Sequence, residues 1–368
     1  MFLSYHLTGA HRSQFVLNSK PSQLILCNQD DLQYQARILP GVSRTFAMTI
    51  PVLPHSLSPV VANAYLLCRI ADTIEDDIFL DATQKSRFHQ HFISVVEGRS
   101  DARAFSSELG PLLSEETLPD ERSLIENSSK IIRITNGFSI REQQALQSCI
   151  KTMCTGMPEF QRIKSLAGLK DLEQLYEYCY IVAGVVGEML TELFCIHCAE
   201  LEKKRNEMME LAVAFGKGLQ MTNILKDMWN DRELGACWAP RSVFSKNKAE
   251  MKVLDQYQNS QAYLDGMNKL ISIACGNVRQ GLEYTCEIPT QELGIRRFCV
   301  WALSFAVLTL RKIHANPSYT SAEQVKISRR TAEAATFASN IVLGSNKALR
   351  LVFDSFASKL QLTSKDID

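Results

Sequence analysis

A chain of 368 residues, 46% hydrophobic and 22% charged, has the profile of an ordinary soluble globular protein, long enough for one large domain or two. Forty basic residues balance forty acidic ones, and this neutrality argues against nucleic acid as a partner, because phosphate backbones recruit basic surfaces. Eleven cysteines, odd in number and scattered, argue against a disulfide framework and point to a reducing, cytoplasmic compartment with buried thiols.

No basic region followed by an apolar core opens the chain, so no secretory signal is expected. Residues 1–34 read as a loosely structured arm and 35–368 as a single all-α domain. Ser43-Arg44-Thr45-Phe46 combines a serine suited to an N-cap with a cation able to reach a phosphate. Apolar periodicity predicts helices over 57–78, 83–97, 119–136, 141–155, 171–197, 201–229, 252–277, 292–314, 321–340 and 345–361. Breakers separate them at Pro51 and Pro54, Gly110-Pro111, Gly156-Met157-Pro158, Gly235, Pro240, Pro289 and Asn316-Pro317. No alternating strand pattern and no internal repeat interrupts the series. The most apolar run, Phe298 to Leu310, falls short of the roughly 20 residues that span a bilayer and reads as a core helix. Cys195 and Cys198 form a lone CxxC in a helical context, which favours buried thiols over a metal or redox centre.

Two acidic runs stand out. Asp72-Thr73-Ile74-Glu75-Asp76-Asp77 ends one predicted helix, and Asp227-Met228-Trp229-Asn230-Asp231 ends another. At i, i+4 spacing Asp72 shares a face with Asp76, and Asp227 with Asp231; such like pairs cost a helix a few tenths of a kcal/mol. Each has a cation beside it, Arg69 and Lys226. A lone pair of this kind is also what a solvated helix face looks like. Here, however, Asp72 and Asp76 follow an apolar stretch at 62–71, where uncompensated carboxylates would be costly. Gln220, Asn223 and Asp227 fall at i, i+3, i+7 and form a polar stripe on an apolar helix. Hard oxygen ligands on helices suit Mg²⁺, which keeps several waters and completes its shell with substrate phosphates. Between the runs, Tyr178 to Gly187 carries mid-helix glycines, each costing about 1 kcal/mol relative to alanine. Ala183, Gly184 and Gly187 make a flat strip that serves either close helix packing or a long apolar ligand.

Together, Ser-Arg-Thr-Phe at 43–46, Arg69 with Asp-Thr-Ile-Glu-Asp-Asp at 72–77, Tyr-Cys-Tyr-Ile-Val-Ala-Gly-Val-Val-Gly at 178–187 and Gln-Met-Thr-Asn-Ile-Leu-Lys-Asp at 220–227 resemble the squalene/phytoene synthases in order and spacing, from about residue 35 to 345. Ile288-Pro289-Thr290, Arg296-Arg297-Phe298-Cys299 and the basic Val325-Lys326-Ile327-Ser328-Arg329-Arg330 look like squalene rather than phytoene synthases. Three positions depart from the family pattern: Ser328 replaces a basic residue, Lys226 an arginine, and Ala236 an arginine, with Arg232 nearby. The expectation is of a bacterial-type member, without the C-terminal anchor of animal and fungal members.

The resemblance implies an all-α isoprenoid-synthase bundle around a central cavity. It implies two farnesyl diphosphates bridged through Mg²⁺ to Asp72, Asp76, Asp227 and Asp231 on opposite rims. Ser43, Arg44, Phe46, Tyr65, Arg69, Gln220, Asn223 and Lys226 would contact substrate, and Tyr178 would serve the proton loss that forms presqualene diphosphate. Arg69, Asn223, Lys326 and Arg329 would contact NADPH, whose hydride yields squalene. A phytoene or dehydrosqualene synthase stops short of that reduction; a non-catalytic scaffold would be expected to lose the metal carboxylates. The expected protein is a cytoplasmic monomer, with peripheral membrane association left open.

Overall fold

The computed structural model describes residues 28–245 and 259–358, with Leu254, Gln256 and Leu360. Among them every regular element is helical, apart from one isolated bridge between Leu169 and Pro240. The chain divides after Pro158 into two compact units. Each is built round a long buried helix that carries one of the acidic pairs.

The N-terminal unit contains α1 (Gln29–Val42), α2 (Arg44–Thr49), α3 (Ser58–Asp76), α4 (Ala82–Val96), α5 (Ala102–Leu109), α6 (Pro119–Glu126), α7 (Ser128–Asn136) and, as far as Pro158, α8 (Ile140–Ile163). α3 packs against α1, α4, α6 and α7, and from Val60 to Glu75 only Arg69 is not fully buried. Asn63 and Thr73 of this helix are hydrogen-bonded inside the unit. Gln35 donates to the Pro59 carbonyl and to Asn63 Oδ1, both at 3.2 Å, and Asn63 Nδ2 donates to Thr135 Oγ1 at 2.7 Å. Arg133 grips Asp31 with bonds of 2.8 and 2.6 Å, tying α7 to α1.

Local chemistry moves several predicted boundaries. Asn28 caps α1, accepting from the Asp30 amide, and Tyr34, Ile38 and Val42 recur at i, i+4, i+8 as its buried stripe. Residues 29–34, read as part of an arm, are thus helical; residues 1–27 lie outside the described part. The predicted 119–136 helix breaks at Asn127. α8, conversely, runs through Gly156 and Pro158, both expected to end it. An interior proline costs about 3 kcal/mol, and complete burial of Met153, Cys154 and Met157 along the same helix offsets it.

The C-terminal unit contains α9 (Leu172–Cys179), a π-helical turn at Tyr180–Gly184, α10 (Val185–His197), α11 (Ala199–Lys203), α12 (Arg205–Glu233), α13 (Arg241–Ser245), α14 (Gln261–Glu287), α15 (Leu293–Ala315), α16 (Ala322–Val325), α17 (Arg329–Val342) and α18 (Asn346–Ala357). α12 is central and packs against α9, the π turn, α10, α14, α15 and α16. The backbones come very close. A Cβ on Gly187 would lie 2.3 Å from the Ala212 carbonyl oxygen, and one on Gly216 would lie 2.3 Å from that of Ala183. At those positions α12 fills the glycine strip, so close packing is the reading that holds there.

The helix predicted over 252–277 is observed from Gln261 to Glu287; most of 252–258 lies outside the described residues. The helix predicted over 321–340 is two helices, because Lys326 to Ser328 are extended and Ser328 caps α17 by accepting from the Thr331 amide. Arg296, fully buried, ties three helix ends together: it donates to the carbonyls of Thr285, Ile288 and Leu343 at 3.0, 2.6 and 2.6 Å, and to Asn346 Oδ1 at 2.7 Å. All ten cysteines among the described residues are free and buried, Cys195 and Cys198 included. Two helical stretches, Leu172–His197 and Leu293–Ala315, are long and apolar enough to cross a membrane, yet 61% and 72% of their apolar windows are buried inside the fold, as core helices are.

Candidate active site

The two acidic pairs lie in different units, and each is built from its own helix. On α3, Asp72 is buried while Asp76, one turn on, is exposed. Arg69 stands beside Asp72, with Nη1 3.8 Å from Asp72 Oδ2, and its Nη2 donates to Glu121 Oε1 on α6. Burial opposes the charge on Arg69, but Asp72 and Glu121 outweigh it and raise the guanidinium pKa. The last aspartate of the run is structural: Asp77 accepts from the amides of Phe79, Leu80 and Ser114 and from the Thr117 hydroxyl, ending α3.

α4 braces the same turn from the side. Lys85 Nζ donates to the Glu75 carbonyl, and His89 Nε2 lies 3.2 Å from the Ala71 carbonyl. The acceptor is a carbonyl, so Nε2 carries the proton. Burial pushes His89 down to about 4, and the imidazole is neutral at physiological pH. Lys85, His89 and Glu121 carry no sequence signal, because their partners are backbone atoms or residues far along the chain.

Upstream in the same unit, Ser43 accepts from the Phe46 amide at 3.1 Å and starts α2. The Phe46 ring lies 4.9 Å from that of Tyr65, whose hydroxyl donates to the Val42 carbonyl at 3.0 Å; burial pushes this phenol up to about 12. Ser43, Phe46 and Tyr65 are thus brought together. The Arg44 side chain lies outside what the structure describes.

On α12, Gln220, Asn223, Lys226 and Asp231 are buried and Asp227 is partly exposed. Lys226 Nζ lies 3.1 Å from Asp227 Oδ2. Tyr319, fully buried in the segment after α15, donates its hydroxyl to the Leu225 carbonyl and so fixes this part of the helix. Past Glu233, Gly235 turns the chain with a φ of +74°, a conformation that favours glycine. The Ala236 amide then donates to the Asp231 carbonyl at 2.8 Å. Arg232 places its guanidinium 5.6 Å from the Trp229 ring centroid. Tyr178, in the last turn of α9, is buried against Phe160 and Trp238, with ring centroids at 5.1 and 4.3 Å. Trp238 is a site neighbour that motif reading missed.

The basic segment sits where α16 gives way to α17. Lys326 pairs with Glu323 at 3.0 Å and Arg329 with Glu333 at 2.8 Å, while Arg330 is exposed. Cations at the first turn of a helix suit phosphate. The Ser328 departure has a structural reason, since that residue is the N-cap.

Among the described residues no three His, Cys, Asp or Glu side chains gather to hold a metal alone. That is unlike structural zinc, which takes four protein ligands. The donors of both pairs are carboxylate oxygens, hard ligands of the kind Mg²⁺ takes, with water and substrate phosphates completing its shell.

Comparison with known proteins identifies the family and the fold. The squalene/phytoene synthase family matches residues 39–331. A squalene synthase of Botryococcus braunii is 28% identical over 340 residues, covering 90% of this chain and 69% of that protein. A squalene synthase of Schizosaccharomyces pombe is 28% identical over 287 residues, covering 76% and 59%. The chain therefore spans between 59% and 69% of the length of these two relatives. Among solved structures, TcSQS in complex with BPH1237 superposes with a TM-score of 0.74 at 20% identity, covering 91% of this chain and 93% of that one. A dehydrosqualene synthase gives 0.63 at 19% identity, covering 86% and 97%. These likenesses show the all-helical isoprenoid-synthase fold, and the family match over most of the chain places it in the squalene/phytoene synthase family.

Proposed function

We propose that this chain joins two farnesyl diphosphates head to head through presqualene diphosphate and reduces that intermediate with NADPH to squalene. The observation that carries the reading is the repeated acidic turn: each lies on the core helix of its unit, and each has a cation beside its first aspartate, Arg69 with Asp72 and Lys226 with Asp227. Asp72, Asp76, Asp227 and Asp231 would hold Mg²⁺, which neutralises diphosphate and stabilises it as a leaving group. Arg44, Arg69 and Lys226 orient the phosphate oxygens, and Gln220 and Asn223 hold metal-bound water or diphosphate. Once the first allylic C–O bond breaks, the C2–C3 double bond of the second substrate attacks and a proton leaves as the cyclopropane closes. Tyr178 relays that proton; a free phenol has a pKa of about 10, so the departing diphosphate is the ultimate base. Lys326 and Arg329 would bind the phosphates of NADPH, whose hydride ends the sequence. The enzyme is proposed to act as a cytoplasmic monomer that can touch a membrane surface.

The second reading is a phytoene or dehydrosqualene synthase; Ala236 and Ser328, which depart from the family's basic residues, weaken the case for the NADPH step and keep this reading open. Incubation of purified protein with farnesyl diphosphate and Mg²⁺, with and without NADPH, separates the two. Squalene formed only with NADPH supports the proposal. Dehydrosqualene or phytoene as the main product in both cases sinks it.

A further inference from the structure

We propose that Trp238 is a positioning residue for Tyr178, held there by a loop bonded to the second acidic pair; the inference rests on the proton-relay role given to Tyr178 above. The two rings are stacked, with centroids 4.3 Å apart and planes inclined by 8°. Both residues are buried, Tyr178 at 5% and Trp238 at 8% relative exposure. Such a contact contributes about 0.5–1.5 kcal/mol beyond the area it buries, and it fixes the plane of the phenol.

The indole is anchored on both sides. The Cys237 amide donates to the Ser165 carbonyl at 3.0 Å, and the Ala239 carbonyl accepts from the Leu169 amide at 3.2 Å. Arg241 donates to the Leu169 carbonyl at 2.8 Å. The residues flanking Trp238 are thus stitched to the 165–169 segment, which fixes beside Tyr178 the backbone that carries the ring. At its other end the loop begins at Asp231 itself, whose carbonyl accepts from Ala236. One short loop therefore connects a proposed metal ligand to the group proposed to move the proton. A misplacement of about 1 Å in a reacting group can cost 100-fold in rate, so a device that fixes the phenol has a large effect to protect.

Full-length Trp238→Leu, Trp238→Phe, Tyr178→Phe and the Tyr178→Phe/Trp238→Leu double variant are assayed for presqualene diphosphate from farnesyl diphosphate and Mg²⁺ without NADPH. Trp238→Leu is expected to lower kcat about 10-fold or more while KM stays within about twofold. Trp238→Phe, which keeps an aromatic face, is expected to lose no more than about threefold. The double variant is expected to be no slower than Tyr178→Phe alone, a coupling that general loss of packing does not produce. Near-normal kcat in Trp238→Leu, or effects that multiply in the double variant, overturns the inference. If Trp238→Leu does not fold, Trp238→His and Trp238→Phe carry the same comparison. Normal turnover in Tyr178→Phe removes the proposed role of Tyr178 and this inference with it. An inactive Tyr178→Phe beside an undisturbed Trp238→Leu removes the inference alone.

Discussion

Glu121 accepts a direct hydrogen bond from Arg69, while the other end of that guanidinium stops 3.8 Å short of Asp72. The cation is shared between two carboxylates, and its closer contact is with the one that has no proposed part in metal binding. Glu121→Gln removes the charge that draws Arg69 away. The guanidinium then closes on Asp72 and competes with Mg²⁺. The Mg²⁺ concentration for half-maximal diphosphate release is expected to rise about 10-fold, with the same maximal rate at saturating metal. An unchanged magnesium titration would show that Arg69 does not contend for Asp72.

Asp72→Asn and Asp227→Asn each remove charge from a proposed metal site while keeping side-chain size. Each is expected to lower diphosphate release by about 1,000-fold or more. A quantitative phosphate assay after pyrophosphatase treatment reads the result directly. Near-normal turnover in either variant removes that aspartate from the metal set.

His89 makes stability depend on pH. Burial holds its folded pKa at about 4, below the ordinary imidazole value of 6.5. Above 6.5 both folded and unfolded forms hold it neutral, and it exerts no pH effect. As pH falls toward 4 only the unfolded chain takes up the proton, so stability declines, by up to about 3 kcal/mol. Lys85, on the same helix, depresses the imidazole further. Urea unfolding at pH 7.5 and 4.5 should show the decline in the parent protein and a smaller one in His89→Gln.

How much of this was legible in the sequence depended on how local the physics is. The i, i+4 carboxylates, the Ser43 cap and the apolar periodicity are written within a few residues of one another. α3, α12 and the helical class could therefore be read directly. The partner of Arg69 is 52 residues away, and Tyr319 reaches a carbonyl 94 residues distant, so neither pairing leaves a local pattern. Pro158 misled because a breaker's local cost was outweighed by burial that only the folded unit supplies. The glycines at 184 and 187 announced close approach, but whether a backbone or a ligand makes it depends on α12.

That close approach predicts intolerance to a single methyl group. In Gly187→Ala and Gly216→Ala the new Cβ meets a carbonyl oxygen of a neighbouring helical segment, which cannot step aside as a side chain tip can. Each is expected to cost about 2–3 kcal/mol, seen as a lower denaturant midpoint with an unchanged slope. Gly276→Ala, whose Cβ has nothing within 4 Å, is the control and should be neutral or stabilising.

Arg296 is a buried cation that serves carbonyls. Arg296→Met keeps volume but leaves three carbonyls and the Asn346 amide oxygen without this donor. A loss of about 3–4 kcal/mol is expected, again read from the denaturant midpoint. Full retention of stability would mean that water replaces the guanidinium.

The π-helical turn at Tyr180–Gly184 has a consequence for the numbering of the helix itself. Such a turn accommodates one residue more than regular α-helix, so everything before it is out of angular phase with everything after it by about 100°. Tyr178 and Gly187 therefore do not keep the face relationship that their separation in sequence would give in a continuous α-helix. Deleting one residue from the turn would restore a regular ladder with few hydrogen bonds lost. It would also swing α9 about its own axis, carrying Tyr178 off the Trp238 face. An insertion that looks like an irregularity is in effect a setting, one residue wide, for the direction in which the phenol points.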